Sequence, residues 1–424
     1  MEIKLKCIEC GRSVKEGITH RCECGGLLDV VLDLDSLRER VSKELFNSRL
    51  GSRRFPYNSG VWRFRELINP LILDKDIVSR PEGNTNLYRH EKVEQYTGIK
   101  NLFLKHEGEN PTGSFKDRGM TSGISEAKRL RMKVVACAST GNTASSLASY
   151  ASLAGMKSVV FIPEGMIAFG KLSQAMAYGA RVLQIKGNFD DAMSLVQESS
   201  HELRMYLLNS INPWRIEGQK SIIFELIQQF EWEPPDWVVV PAGNLGNTSA
   251  FGKAFYELAE LELIDKIPRI ASIQASGADP FYKTWKENLP RLEAVKNPET
   301  IATAIKIGNP VSWKKALRTI KLTNGLVEEV TDQEIMDSKA VVDGSGIGCE
   351  PASAASVAGA KKLRDSGVID KNESVVCIIT GNILKDPDAT INYHLSKLKG
   401  VSPRFANKPT VIEPTTEAVR KEIG

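Results

Sequence analysis

The chain has 424 residues, enough for two to four domains at roughly 100–200 residues each. With 42% hydrophobic and 25% charged residues it has the composition of a globular protein in water, and a net charge of only +4 argues against a polyanion such as nucleic acid as partner. No apolar run approaches the roughly 18 residues of a membrane span, and Met1 to Lys6 lacks the apolar stretch of a signal peptide, so no membrane partner and a cytoplasmic location are expected.

In chain order, the first unusual feature is cysteine. Four of the seven, Cys7, Cys10, Cys22 and Cys24, fall within eighteen residues; Cys137, Cys349 and Cys377 are scattered in apolar surroundings and read as small core hydrophobes. A pair spaced Cys-x2-Cys and a pair spaced Cys-x-Cys present four thiolates from two turns, which suits structural zinc. Gly11, Gly25 and Gly26 give the backbone its freedom after each pair. His20 could replace one ligand, but a surface histidine is the simpler expectation. Residues 1–24 hold five basic and four acidic side chains, no footprint for a phosphate backbone. Residues 1–30 therefore read as a zinc-ribbon-like module.

Residues 31–80 read as a charged connecting arm with a helical pattern from Leu34 to Leu45. From about residue 81, short apolar runs alternate with helical periodicity. Strands are expected at 133–138, 158–163, 180–185, 205–208, 237–241, 270–275 and 374–380. Helices are expected at 143–154, 169–178, 188–204, 218–230, 248–262, 332–342 and 350–366. Such alternation predicts an α/β fold with parallel sheets covered by helices. The tail, residues 401–424, carries three prolines and reads as an arm or partly disordered segment.

Several segments carry chemistry. In 108–119, Gly-Glu-Asn-Pro-Thr-Gly-Ser-Phe-Lys-Asp-Arg-Gly, a turn precedes a helix with Ser114 as N-cap. Lys116 then sits at the positive helix end, which favours its neutral, nucleophilic amine; the alternative is a lysine salt-bridged beside Asp117 and Arg118. Ser139-Thr140-Gly141-Asn142-Thr143 ends a strand and opens a helix, a pattern suited to an anion or to an ordinary capped turn. Lys171 opens a helix, and Asn209, Ser210 and Arg215 follow a strand. An ammonium and a guanidinium fork suit a phosphate, although alone they read equally as solvated or ion-paired charges. Gly243-Asn244-Leu245-Gly246-Asn247 joins a strand to a helix and can close its amides around a phosphate. Glu350 opens a helix, as a polar site residue or as a cap, and Thr380 ends a buried strand.

Asn-Pro-Thr-Gly-Ser-Phe-Lys-Asp-Arg-Gly resembles the cofactor-lysine segment of the pyridoxal-phosphate enzymes of the tryptophan-synthase β fold (fold type II). Within that superfamily the chain is most similar to threonine synthases, over about residues 80–395, and 302–313 and 350–354 add to the likeness. The resemblance implies two open twisted-sheet α/β domains with pyridoxal 5'-phosphate in the cleft between them. The large cofactor domain would comprise 81–110 and 201–400, the small mobile domain 111–200. Lys116 would bind the cofactor and move protons; Asn142 would meet the ring hydroxyl, Gly243 to Asn247 the cofactor phosphate, and Thr380 the ring nitrogen. Ser139, Thr140, Gly141 and Thr143 would take the substrate carboxylate. Lys171, Asn209, Ser210 and Arg215 would take the phosphate of O-phosphohomoserine. The implied reaction yields threonine and phosphate, in a homodimer.

Threonine dehydratases and cysteine synthases share the fold, but their glycine loops usually carry a run of glycines. A nearer rival is a cysteate-synthase-like enzyme using O-phosphoserine and sulfite. A non-catalytic protein acting through its ribbon is disfavoured by the intact Lys116, Asn142 and glycine loop. Activation by S-adenosylmethionine is not expected from so short a front region.

Overall fold

The computed structural model describes residues 2–423 except 16, 18, 166–168 and 188. Among the described residues thirteen strands form three sheets. The first is a small antiparallel sheet of β1 (Ile3–Cys7), β2 (Ser13–Val14) and β3 (Leu28–Leu32), with β1 in the middle. The other strands are β4 (Leu87–Tyr88), β5 (Asn101–His106), β6 (Val134–Ala138), β7 (Lys157–Pro163), β8 (Arg181–Ile185), β9 (Tyr206–Leu207), β10 (Trp237–Pro241), β11 (Arg269–Ala275), β12 (Leu326–Val330) and β13 (Ser374–Ile379). They form a six-stranded sheet in the order β12-β11-β10-β13-β5-β4 and a four-stranded sheet in the order β8-β7-β6-β9. Every pairing in these two sheets is parallel except β4 with β5.

Parallel strands joined by helices are covered on both faces, so their sequences run apolar without a break. Trp237, Val239, Val375, Cys377 and Ile379 enter one core and Val238, Val240, Val376 and Ile378 the opposite one. The small sheet divides likewise: Val135, Cys137 and Val160 face one side, Ala136, Ala138 and Phe161 the other. The three scattered cysteines are buried core residues, as expected.

Several expectations need correcting. β9 pairs with β6, so the small sheet extends past the expected limit at residue 200. The ribbon sheet runs to Leu32 rather than residue 30. Leu34 to Leu45 is two helices, Leu34–Arg38 and Lys43–Ser48, the second capped by the Ser42 hydroxyl, which accepts from the Leu45 amide at 3.1 Å. The helix expected at 218–230 starts at Pro213, where Asn212 caps the Trp214 and Arg215 amides. In the tail, Arg404 lies 3.6 Å from Asp337 and the Phe405 ring meets Tyr96, while Thr416–Ile423 is an exposed helix.

The ribbon touches both large sheets. Asp29 pairs with Lys315 and Arg318, each at 2.7 Å, and the Lys315 ammonium also donates to the Leu28 carbonyl. On its other side Leu27 joins the apolar cluster of Ala136, Phe161 and Leu207. His20, expected at the surface, is buried edge-on against Tyr206, with ring centroids 5.0 Å apart.

Candidate active site

The segments singled out in the sequence converge at the carboxyl ends of β5, β6, β9, β10 and β13, the edge where open α/β sheets bind ligands. Lys116 is the first residue of the helix Lys116–Arg129. Ser114 is not its cap: the helix starts one residue later than expected, Phe115 takes the cap position without a side-chain bond, and the Ser114 hydroxyl is buried without a partner. The loop is fixed by backbone instead. Phe115 N–H donates to the Thr380 carbonyl at 3.1 Å and Asn382 N–H to the Gly113 carbonyl at 2.9 Å.

The salt-bridged alternative for Lys116 fails. Asp117 accepts from the Thr112 amide and hydroxyl and from the Ser146 hydroxyl, at 2.6–2.7 Å. Arg118 pairs with Glu107 and Glu225 in a buried cluster. The half-buried Lys116 ammonium, with no carboxylate within 4 Å among the described residues, lies 4.1 Å from the Phe115 ring centroid. Burial pushes its pKa down to about 7, the Arg215 guanidinium adds to the fall, and Glu350 opposes it. Near neutral pH much of this amine is therefore unprotonated, the form that attacks an aldehyde.

Arg215 reaches this position because two helices cross closely. A side chain on Gly119 would strike the Arg215 carbonyl, and one on Gly123 would meet the Arg215 Cγ at 3.2 Å. Arg215 is buried, donates to the Leu208 carbonyl at 2.9 Å, has no carboxylate partner among the described residues, and its Nε has no acceptor. Burial lowers its pKa to about 10. A buried guanidinium without a counter-ion is costly unless an anion joins it.

Asn209 bonds Ala138 twice, its Oδ1 accepting from the amide at 3.0 Å and its Nδ2 donating to the carbonyl at 2.9 Å. It thus holds the start of the 139–143 loop and keeps one Nδ2 hydrogen for a ligand. Ser139, Thr140, Gly141, Thr143 and Ser210 are half-buried; the Ser139 hydroxyl accepts from Gly141 N–H at 3.2 Å. The side chain of Lys171 lies outside the described residues. Asn142 opens the helix Asn142–Leu153, and its amide donates to both Glu350 oxygens at 3.1 Å. Glu350 occupies the cap position of the helix Pro351–Asp365 without capping it by side chain, so of its two readings the polar one stands.

Whether these residues fit pyridoxal phosphate is tested by the glycine loop and the strand end. A methyl on Gly243 would stand 3.1 Å from Ile305 Cα and 3.2 Å from the Ala304 oxygen, so glycine lets the loop lie against that backbone. Leu245 takes a left-handed conformation at φ 64°. The amides of Asn244 to Asn247 find no acceptor among the described residues and open the helix Gly246–Glu260, and the Asn247 Oδ1 is buried without a partner. Free amides at a helix start fit a phosphate. Thr380 is buried, its hydroxyl 3.0 Å from that of Ser353, and offers a neutral partner to a ring nitrogen. With the Lys116 amine, the donor set fits the cofactor.

At the other end, the Cys7 and Cys24 sulfurs lie 3.5 Å apart and those of Cys10 and Cys22 3.6 Å; all four fall within 4.8 Å of one another, with His20 outside the group. Four thiolates about 2.3 Å from a central zinc stand at similar separations. A side chain on Gly26 would strike the Cys7 sulfur at 2.6 Å, so glycine keeps the cluster open.

Sequence reading missed the Gly119–Gly123 contact with Arg215, although two glycines four apart in a helix were its signal. It also missed Lys385, whose ammonium donates to Gln174. A family model described as "Pyridoxal-phosphate dependent enzyme" matches residues 78–381. The chain is 50% identical over 388 residues to a threonine synthase of Methanocaldococcus jannaschii, covering 91% of this chain and 94% of that one. It is 45% identical to a threonine synthase of Methanosarcina acetivorans, covering 99% and 98%. Among solved structures, threonine synthase from Escherichia coli matches 98% of this chain and 94% of its own with a TM-score of 0.69, at 17% identity a likeness of fold alone.

Proposed function

The chain belongs to the pyridoxal-phosphate-dependent enzymes and, within them, to the threonine synthases, and on that footing we propose that it converts O-phospho-L-homoserine and water to L-threonine and phosphate. The observation that carries the assignment to this site is the neighbouring pair Lys116 and Arg215: an amine held near neutrality beside a buried guanidinium that lacks an anion.

Lys116 would hold pyridoxal phosphate, with the amides of Asn244 to Asn247 and residue Gly243 around its phosphate, Asn142 toward its ring hydroxyl and Thr380 toward its ring nitrogen. When bound, the cofactor supplies an aldehyde for the substrate amine and a ring that accepts electron density. Lys116, whose unprotonated amine is available near neutral pH, would move protons at the substrate Cα, Cβ and Cγ. Arg215, with Lys171, Asn209 and Ser210, holds the substrate phosphate and stabilises its charge as the bond from Cγ to oxygen breaks. Ser139, Thr140, Gly141 and Thr143 orient the carboxylate at the start of their helix. Movement of the small domain toward the large one excludes bulk water until the water that adds at Cβ is required. The reading also includes zinc on Cys7, Cys10, Cys22 and Cys24, a homodimer, and a cytoplasmic location.

The test incubates cofactor-loaded protein with O-phosphohomoserine, and separately with O-phosphoserine plus sulfite, and measures phosphate and the amino acid formed. Threonine and phosphate from the first are expected. Phosphate and cysteate from the second alone would overturn the substrate while keeping the fold and Lys116.

A further inference from the structure

Three cations at the cleft, Lys116, Arg215 and Lys385, lie beyond 4 Å of any carboxylate among the described residues. The first two have roles above; Lys385 does not. It ends the short turn Ile383–Lys385, which follows the strand-end loop Thr380-Gly381-Asn382, and the Asn382 side chain caps that turn by accepting from Leu384 N–H at 2.9 Å. Its stem runs along the lysine loop. A side chain on Gly113 would stand 3.0 Å from the Lys385 Cε and 3.8 Å from its Nζ, and Gly113 has φ +85°. Its ammonium donates to the Gln174 Oε1 at 2.5 Å, on the helix Phe169–Ala177 that belongs to the small sheet.

An amide oxygen satisfies one N–H and none of the charge. Burial pushes the Lys385 amine down, against the fields of Glu350 and Asp117. Neither carboxylate pairs with it directly among the described residues. Glu350 accepts from Asn142, while Asp117 accepts three hydrogen bonds and has its pKa raised by burial to about 6. The cofactor phosphate has its own cradle in the loop 243–247. Lys385 thus stands between the lysine loop and the helix Phe169–Ala177 with an amide oxygen, rather than an anion, as its partner.

We propose that Lys385 is a specificity-determining residue that binds the phosphate of the substrate, exchanging the Gln174 oxygen for a phosphate oxygen as the small domain closes. It adds a cation from the segment after β13 to Lys171, Asn209, Ser210 and Arg215, which follow β7 and β9. The inference rests on the reading that the substrate is phosphorylated, but not on how many carbons the substrate has.

Inorganic phosphate is titrated by calorimetry into the pyridoxal-phosphate-loaded enzyme and into Lys385→Met, Lys385→Arg and Gln174→Ala variants, with L-threonine, which shares the amine and carboxylate but lacks the phosphate, as the control ligand. Loss of a charge-assisted bond predicts about a tenfold or greater weakening of phosphate in Lys385→Met. Threonine affinity and the bound cofactor's absorbance should stay unchanged, Lys385→Arg should restore binding, and Gln174→Ala should leave phosphate affinity equal or higher. With O-phosphohomoserine, KM should rise by a similar factor and kcat change less. Unchanged phosphate affinity in Lys385→Met, or equal losses of phosphate and threonine, would overturn the proposal and leave Lys385 a tie between the domains. Should the methionine variant not fold, Lys385→Gln makes the same comparison without the charge. If the wild-type enzyme proves to use O-phosphoserine, the function reading falls and the phosphate titration still decides Lys385.

Discussion

The two parallel sheets are built to the same rule and finished differently. In the six-stranded sheet β10 is buried at every residue, and β11 and β13 at every residue but the first. Its loops are braced: Gly243 lies against Ile305, and Thr380 is bonded to Ser353 and to the lysine loop. The edge strands β4 of the larger sheet and β8 of the smaller both lack a fully buried residue, and beside the smaller sheet a hollow of about 680 Å3 opens at Val134, Met156 and Val159, away from the site. Its loop 139–143 is half-exposed, held at one end by Asn209 and tied to the large sheet's side through Asn142 and Glu350. On the proposed roles, braced loops after β10 and β13 and a half-exposed loop after β6 would suit an enzyme in which one half holds the cofactor and the other closes on the substrate.

Substitutions on the two sides should therefore fail in different ways. Lys116→Ala is expected to lower turnover by about 1,000-fold or more and abolish the visible band of the bound cofactor, with little change in melting temperature. Residual activity near wild type would break the scheme at its centre. In the wild-type apoprotein, the rate of cofactor uptake should rise with pH through about 7 and then level, as the Lys116 ammonium loses its proton.

Next in size is a change far from the chemistry. Asp29→Asn leaves the buried Lys315 without its anion and should destabilise the protein by about 3 kcal/mol at pH 7, read from denaturant unfolding. Burial opposes ionisation of Asp29, but Lys315, Lys253 and Arg318 hold its carboxyl well below the usual carboxylate range. Its stabilisation is thus present above the unfolded pKa of about 3.9 and is lost as the pH falls toward the folded value, so the variant should lose less stability than wild type on acidification.

Arg215→Leu should lower kcat/KM by about 100-fold through the phosphate contact. Because the cation that helps depress Lys116 is gone, the uptake midpoint should move above 7; an unmoved midpoint would separate the two residues. Gly243→Ala should do least. Its methyl asks the Ile305 backbone to give by a few tenths of an ångström, and cofactor affinity should fall by roughly tenfold, with KM for substrate little changed at saturating cofactor.

The buried strands were legible because their sequences are apolar throughout, as in β10 and β13. β5 and β12 were not. β5 hides Lys105 and His106, which are buried because Glu225 and the Gly348 carbonyl wait for them, partners 120 and 242 residues away. β12 carries two glutamates in the edge position. The site's motifs were legible wherever one loop carries several residues, as at 139–143 and 243–247. Lys385, Gln174 and the close crossing at Gly119 were not, because each acquires its meaning only from a contact between distant segments. Ser114 misled because its local pattern suits a cap while the tertiary pairing with Gly381 takes its backbone elsewhere.

The attachment of β3 has a consequence for the order in which this protein is made. Leu28 and Asp29 leave the ribosome early, yet Lys315 and Arg318 lie 287 and 289 residues downstream. At about 5–20 residues per second, that is a wait of roughly 15–60 s with Leu28, Val30 and Leu32 lacking the surface that will cover them. On the proposed zinc reading, a metal gathered by four nearby thiolates would give the ribbon a fold of its own during that interval. Zinc starvation while the chain is being synthesised should therefore reduce the yield of folded protein more than chelation of the finished enzyme reduces its activity.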